Sequence, residues 1–166
     1  MFDAQLLHDA TELLEICRRA KLKIATAESC TGGLITGCLT EIVGSSDVVE
    51  RGFVTYSNEA KIEMLSVSKM LIAVHGAVSE PVARAMAEGA LAKSLADITI
   101  SVPGIAGPGG ATQDKPLGLV HFASAGRGRP TIAHHEVFPG DRAAVRDATV
   151  QTAFTILRHT VQGKSE

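Results

Sequence analysis

Residues 96–104, ADITISVPG, are an almost continuous apolar run. That pattern belongs to a strand covered on both faces, and such a strand needs helices on both sides of its sheet. The rest of the chain supplies them. Leu6, Leu7, Ala10, Leu13, Leu14 and Cys17 recur at i, i+3, i+4 and i+7, predicting an amphipathic helix from about Asp3 to Ala20. LKIATA follows as a strand, and Leu34, Ile35, Cys38, Leu39 and Ile42 return to helical spacing, with Gly44 as a stop after Val43. RGFVTYS reads as a second strand and NEAKIEMLSV as a short helix behind it. Val82, Ala83, Met86, Ala87, Ala90 and Leu91 give the next helix a face of mostly small side chains, suited to lying tight against the sheet. LGLVHFASAG and TIAHHEVF form a hairpin across RGRP, and a helix opened by Asp141 closes the chain. The order predicts an α/β fold, a three-layer α/β/α sandwich around a mixed five-stranded sheet, as a single domain over residues 1–166.

Composition excludes several functions for such a domain. Sixteen basic and eighteen acidic side chains leave a net charge of -2, so there is no cationic field for a nucleic-acid backbone or an anionic membrane. One Tyr and no Trp leave little surface for stacking bases. No apolar run approaches the roughly 20 residues that cross a bilayer, and the N-terminus lacks a basic leader region, so a cytoplasmic protein is expected. The three cysteines fit neither a disulfide framework nor a zinc site, and the six histidines show no HxxxH or HExxH spacing. Neither a metal nor a cofactor is expected. Small-residue helix faces suggest a homodimer.

Ligands of open α/β sheets bind beyond the carboxyl ends of the strands. Three unusual segments fall there: TAESCTGG (26–33), YSNEAK (56–61) and GIAGPGG (104–110). At the first, Ser29 stands at a strand-to-helix turn, where unpaired N–H groups and the helix dipole favour negative charge. Ser29 is either a helix cap or a nucleophile whose oxyanion meets the N–H groups of Cys30, Thr31 or Gly32, with Gly32 and Gly33 admitting substrate close to the backbone. Cys30 competes for the nucleophilic role, because a helix N-terminus also activates a thiol. Lys61, in the first turn or so of its helix, opposes the dipole. It is either an exposed partner of Glu59 or Glu63 or a base with a depressed pKa. Arg142, just after Asp141, repeats that conflict, which a bound anion would remove.

Seven ordered segments carry a resemblance: TAESCTGG, GSS (44–46), ERGFVTYSNEAK (50–61), HGAVSEPVA (75–83), GIAGPGG, KPLG (115–118) and GDR (140–142). Over nearly its whole length the chain resembles the C-terminal domain family of the competence and damage-inducible protein CinA, whose characterised members are nicotinamide-nucleotide amidohydrolases. The resemblance implies a stand-alone form that converts nicotinamide mononucleotide to nicotinate mononucleotide and ammonia, a pyridine-nucleotide salvage step. It implies Ser29 as nucleophile, Lys61 as base, Ser46 and Tyr56 assisting, and Arg142 near the nucleotide phosphate. Gly32, Gly33 and the 104–110 loop, with Gly104, Ala106 and Gly107, would shape the pocket. Relatives often carry a hydroxyl residue where this chain has Pro103, which offers neither a hydroxyl nor an N–H. Two alternatives remain beside the serine amidohydrolase: a non-catalytic pyridine-nucleotide sensor, and a hydrolase using Cys30.

Overall fold

In the computed structural model, which describes residues 2–163, strands β1 (Ile24–Glu28), β2 (Val49–Val54), β3 (Ile98–Val102), β4 (Leu119–Gly126) and β5 (Ile132–Val137) form one sheet. Its order is β2-β1-β3-β4-β5, with β1 parallel to both neighbours and β4 antiparallel to both of its own, the mixed five-stranded sheet expected. The outermost positions of the expected 1–166 unit, residues 1 and 164–166, lie outside the described residues. Helices α1 (Ala4–Ala20), α2 (Leu34–Thr40) and α6 (Arg142–Gln162) cover one face, where Leu13, Leu14, Ile35, Phe122 and Phe154 are buried. Helices α3 (Asn58–Leu65), α4 (Lys69–His75) and α5 (Glu80–Ala92) cover the other around Phe53, Leu65, Ile72 and Met86.

Strand alternation explains the composition of β3. Ile98, Ile100 and Val102 join the core under α1 and α6, while Thr99 and Ser101 face α5 and donate to the carbonyls of Ala87 (2.7 Å) and Ala83 (2.6 Å). Those bonds satisfy two buried hydroxyls, and they require the close approach that Ala83, Ala87, Ala123 and Ala125 permit.

Element boundaries differ from the expected ones for identifiable reasons. Asp3 is the cap of α1, its carboxylate accepting from Leu6 N (2.7 Å). The second helix stops at Thr40 rather than at Val43: the Thr40 hydroxyl donates back to the carbonyls of Thr36 and Gly37, competing with the backbone. Gly44 instead opens a short 3-10 turn, Ser45–Asp47. Strand β2 begins at Val49, two residues before RGFVTYS, and ends before Thr55. Helix α4 was not expected; it is seven residues long with only Ile72 buried, too short to show a stripe, and its sequence signal is the Ser68 cap.

Candidate active site

The last rung between β1 and β2 fixes the centre of the site. Thr55 N donates to Glu28 O (2.8 Å), so the residue after Glu28 and the carbonyl of Thr55 lie side by side where the strands part. Ser29 is 8% exposed there, and Lys61, from the first turns of α3, is 2% exposed. The Lys61 amine lies 3.1 Å from Ser29 Oγ, 2.8 Å from Thr55 O, 3.3 Å from Tyr56 O and 3.4 Å from Ser57 O. Neither Glu59 nor Glu63 pairs with it. Burial pushes the Lys61 pKa below the ordinary lysine value. The direction matches the sequence reading, but desolvation takes the place of the helix dipole as cause. Helix α3 is positioned by Ser57, whose hydroxyl accepts from Ala60 N (3.0 Å).

Cys30 turns to the opposite face. It is 5% exposed in the core beneath α1, α2 and α6, and its thiol donates to Val102 O (3.3 Å). Burial, with a contribution from Glu28, pushes its pKa up to about 12. The thiol is therefore neutral at neutral pH and points away from the cleft, so the structure speaks against Cys30 as nucleophile. Thr31 is fully buried and its hydroxyl is committed to Glu28 (2.7 Å), leaving only its backbone for a ligand. Gly32 and Gly33 hold φ of 61° and 102°, and Gly33 serves as the cap position of α2. Gly32 N donates to Ser29 O (3.1 Å), and Gly33 N to Glu28 (3.0 Å). Among the described residues, no oxygen accepts from the N–H groups of Cys30 or Thr31; both lie beside the Cys30 sulfur and act against the rise in its pKa.

Around this centre lies an open rim. Tyr56 is 61% exposed, and its hydroxyl accepts from Arg142 (3.0 Å), whose guanidinium also donates to Gly107 O (2.8 Å). Arg142 thus bridges the segments that follow β2 and β3. Of the other loop positions, Gly104 serves packing: a Cβ there would fall 2.8 Å from Val120 and 2.9 Å from Cys30 Sγ. Ala106 is buried in the core, and Gly107 faces the rim with φ 86°. Pro103 is buried, and its carbonyl accepts from His121 N (2.9 Å).

Ser46 is not brought to Ser29 within one chain. It lies exposed before β2, next to the start of β1, where Val48 O accepts from Ile24 N. The length of β1, roughly 16 Å at ~3.3 Å per residue, separates the two ends.

Two residues at the site escaped the sequence reading. Glu28 is fully buried, and its carboxylate accepts from the N–H groups of Gly33, Ile35 and Thr36. Arg146, one turn beyond Arg142 on α6, donates to Thr31 O (2.9 Å), and its Nε is buried without a partner. A glutamate ending a strand and an arginine inside a helix both look solvated in sequence. Only the turn of GG toward Glu28 and the four-residue spacing of the arginines hint otherwise.

The chain is 45% identical over 163 residues to the nicotinamide-nucleotide amidohydrolase PncC of Escherichia coli (strain K12), covering 98% of this chain and 99% of that protein. It is 51% identical over 140 residues to a CinA-like protein of Akkermansia muciniphila, covering 83% of this chain and 34% of that protein. Across several such longer relatives, the chain spans between 34% and 38% of their length. The crystal structure of the competence/damage inducible protein CihA from Agrobacterium tumefaciens superposes with a TM-score of 0.94 at 44% identity, over 98% of both chains. The family model for the CinA C-terminal domain matches residues 7–161, and the chain belongs to that family.

Proposed function

We propose that the chain is a nicotinamide-nucleotide amidohydrolase that converts nicotinamide mononucleotide to nicotinate mononucleotide and ammonia through a Ser29 nucleophile and a Lys61 base. The observation that carries this reading is the 3.1 Å approach of a buried amine with a lowered pKa to a serine hydroxyl. Near full-length similarity to PncC supports the substrate class.

A neutral Lys61 has two N–H bonds for the carbonyls of Thr55 and Tyr56, which leaves its lone pair for the Ser29 hydroxyl. As Ser29 Oγ bonds to the carboxamide carbon, Lys61 takes the hydroxyl proton. The N–H groups of Cys30 and Thr31 hold the oxygen that becomes negative. Collapse breaks the C–N bond, and the Lys61 ammonium returns the proton to the departing nitrogen, releasing ammonia. Water, deprotonated by Lys61, then attacks the ester carbon; the C–Oγ bond breaks, the Lys61 ammonium returns its proton to Ser29 Oγ, and the acid formed loses a proton to solvent as the carboxylate. Arg142 and Arg146 pair with no carboxylate among the described residues. They give a phosphate a local positive field in a chain whose net charge is -2.

One observation favours a second reading: three carbonyls within 3.4 Å of the amine also suit an ammonium, as a nucleotide-binding sensor without turnover would have. Ammonia release from nicotinamide mononucleotide, its nucleoside and free nicotinamide separates the two. The amidohydrolase releases ammonia fastest from the mononucleotide, whereas the sensor binds it and releases none.

A further inference from the structure

We propose that Glu28 is a positioning residue for the Ser29 reaction, acting as a buried anchor that fixes the turn of residues 29–33 from below while Arg146 fixes it from α6. The inference rests on the amidohydrolase reading for its kinetic consequence, though not for its structural one.

The carboxylate of Glu28 is enclosed by donors. One oxygen takes the N–H groups of Gly33 (3.0 Å) and Ile35 (3.0 Å) and the Thr31 hydroxyl (2.7 Å). The other takes Thr36 N (2.8 Å) and lies near the hydroxyls of Thr36 (2.8 Å) and Thr26 (3.2 Å). The N-terminal N–H groups of α2, which ordinarily wait for a cap or an anion, are thereby filled from within the chain, and the cap residue Gly33 has no side chain to do it. Glu28 does what a capping side chain does elsewhere, from the preceding strand.

The consequence falls on the reacting atoms. Thr31 is held on both sides, its hydroxyl by Glu28 and its carbonyl by Arg146 (2.9 Å). Ser29 and Cys30 lie between Thr31 and the backbone of Glu28, whose carbonyl closes the β2 rung. The direction of Ser29 Oγ and of the Cys30 and Thr31 N–H groups is therefore set by Glu28, which touches no substrate, together with Arg146. Gly52 belongs to the same device: a Cβ on it would strike the Thr36 side chain, so its absence leaves Thr36 room to reach Glu28. The negative charge of Glu28 also raises the Cys30 pKa, helping to keep that thiol out of the reaction.

Glu28→Gln keeps the size but presents N–H groups where backbone N–H groups already point; each carboxylate oxygen accepts at least one of them, so neither orientation of the amide fits. Thr31→Val removes one donor and keeps the shape, and Thr31→Ser restores the hydroxyl. Two readouts are needed: ammonia release, and amide hydrogen exchange over residues 29–36. The expected result is a fall in kcat of roughly 10- to 100-fold for Glu28→Gln. Thr31→Val gives a smaller fall and Thr31→Ser near-full recovery, with KM changed less than about twofold and faster exchange confined to 29–36. Unchanged kcat in folded Glu28→Gln and Thr31→Val, or unchanged exchange at Gly33, Ile35 and Thr36, overturns the proposal. Should the unsubstituted protein release no ammonia while exchange responds as expected, the amidohydrolase reading fails and the anchor stands.

Discussion

The turn after β1 and the loop after β3 leave the sheet at the same end, and they are built in opposite ways. In the turn, Thr31 is fully buried, both of its side-chain and carbonyl oxygens are committed, and Ser29 is nearly enclosed. In the loop, residues 108–114 are exposed, and a Cβ on Gly109 would meet nothing within 4 Å. Arg142 reaches the loop only at Gly107. On the proposed amidohydrolase reading, a proton transfer and an oxyanion need fixed distances, and Ser29 and Lys61 stand on the enclosed side. A ligand's outer groups tolerate adjustment, and the residues suited to hold them stand on the open side.

Substitutions test that division, beginning with the largest effect. Ser29→Ala is expected to lower kcat by on the order of 10⁴-fold or more without loss of structure, whereas Cys30→Ala, on the other side of the turn, leaves kcat within about threefold. The reverse pattern would make the thiol the nucleophile. Arg142→Ala removes a charged contact from the rim, and the expected effect is a rise of roughly 10- to 100-fold in KM for the mononucleotide, from about 1.5–3 kcal/mol. Free nicotinamide, lacking phosphate, would show no such rise. The smallest effects concern stability. Gly33→Ala, at φ 102° and with Val54 Cγ2 3.4 Å from the new Cβ, is expected to cost about 1–2 kcal/mol in thermal or urea unfolding. Gly109→Ala stays within about 0.5 kcal/mol; equal costs would erase the distinction between the two segments.

Much of this arrangement is legible in the sequence because local pattern and chain order suffice for it. The strand β3 run, the helical spacings and the strand-end placement of TAESCTGG, YSNEAK and GIAGPGG all depend on near neighbours, and the sheet that they predict is the sheet observed. The distance between Ser29 and Lys61 depends on the β1–β2 register, which no local pattern specifies, so their encounter was an expectation until the strands were aligned. Glu28 was illegible for a different reason: its partners lie five to eight residues ahead, in a helix whose glycine cap gives no sign of what fills it. Ser46 was assigned through the resemblance alone, and within one chain it stands at the opposite end of β1 from Ser29. The lowered pKa of Lys61 was read from the dipole, whereas burial, invisible until the layers close, is what produces it.

The central claim is that Lys61 serves as an unprotonated base toward Ser29, and the dependence of kcat/KM on pH tests it most directly. A protonated amine cannot accept the serine proton, so activity is lost as pH falls through the Lys61 pKa, which burial holds below the ordinary value of about 10.4. The predicted profile rises with pH and levels off clearly below that value, well before Cys30 titrates at about 12. A rise centred at 10.4 or above would contradict the account.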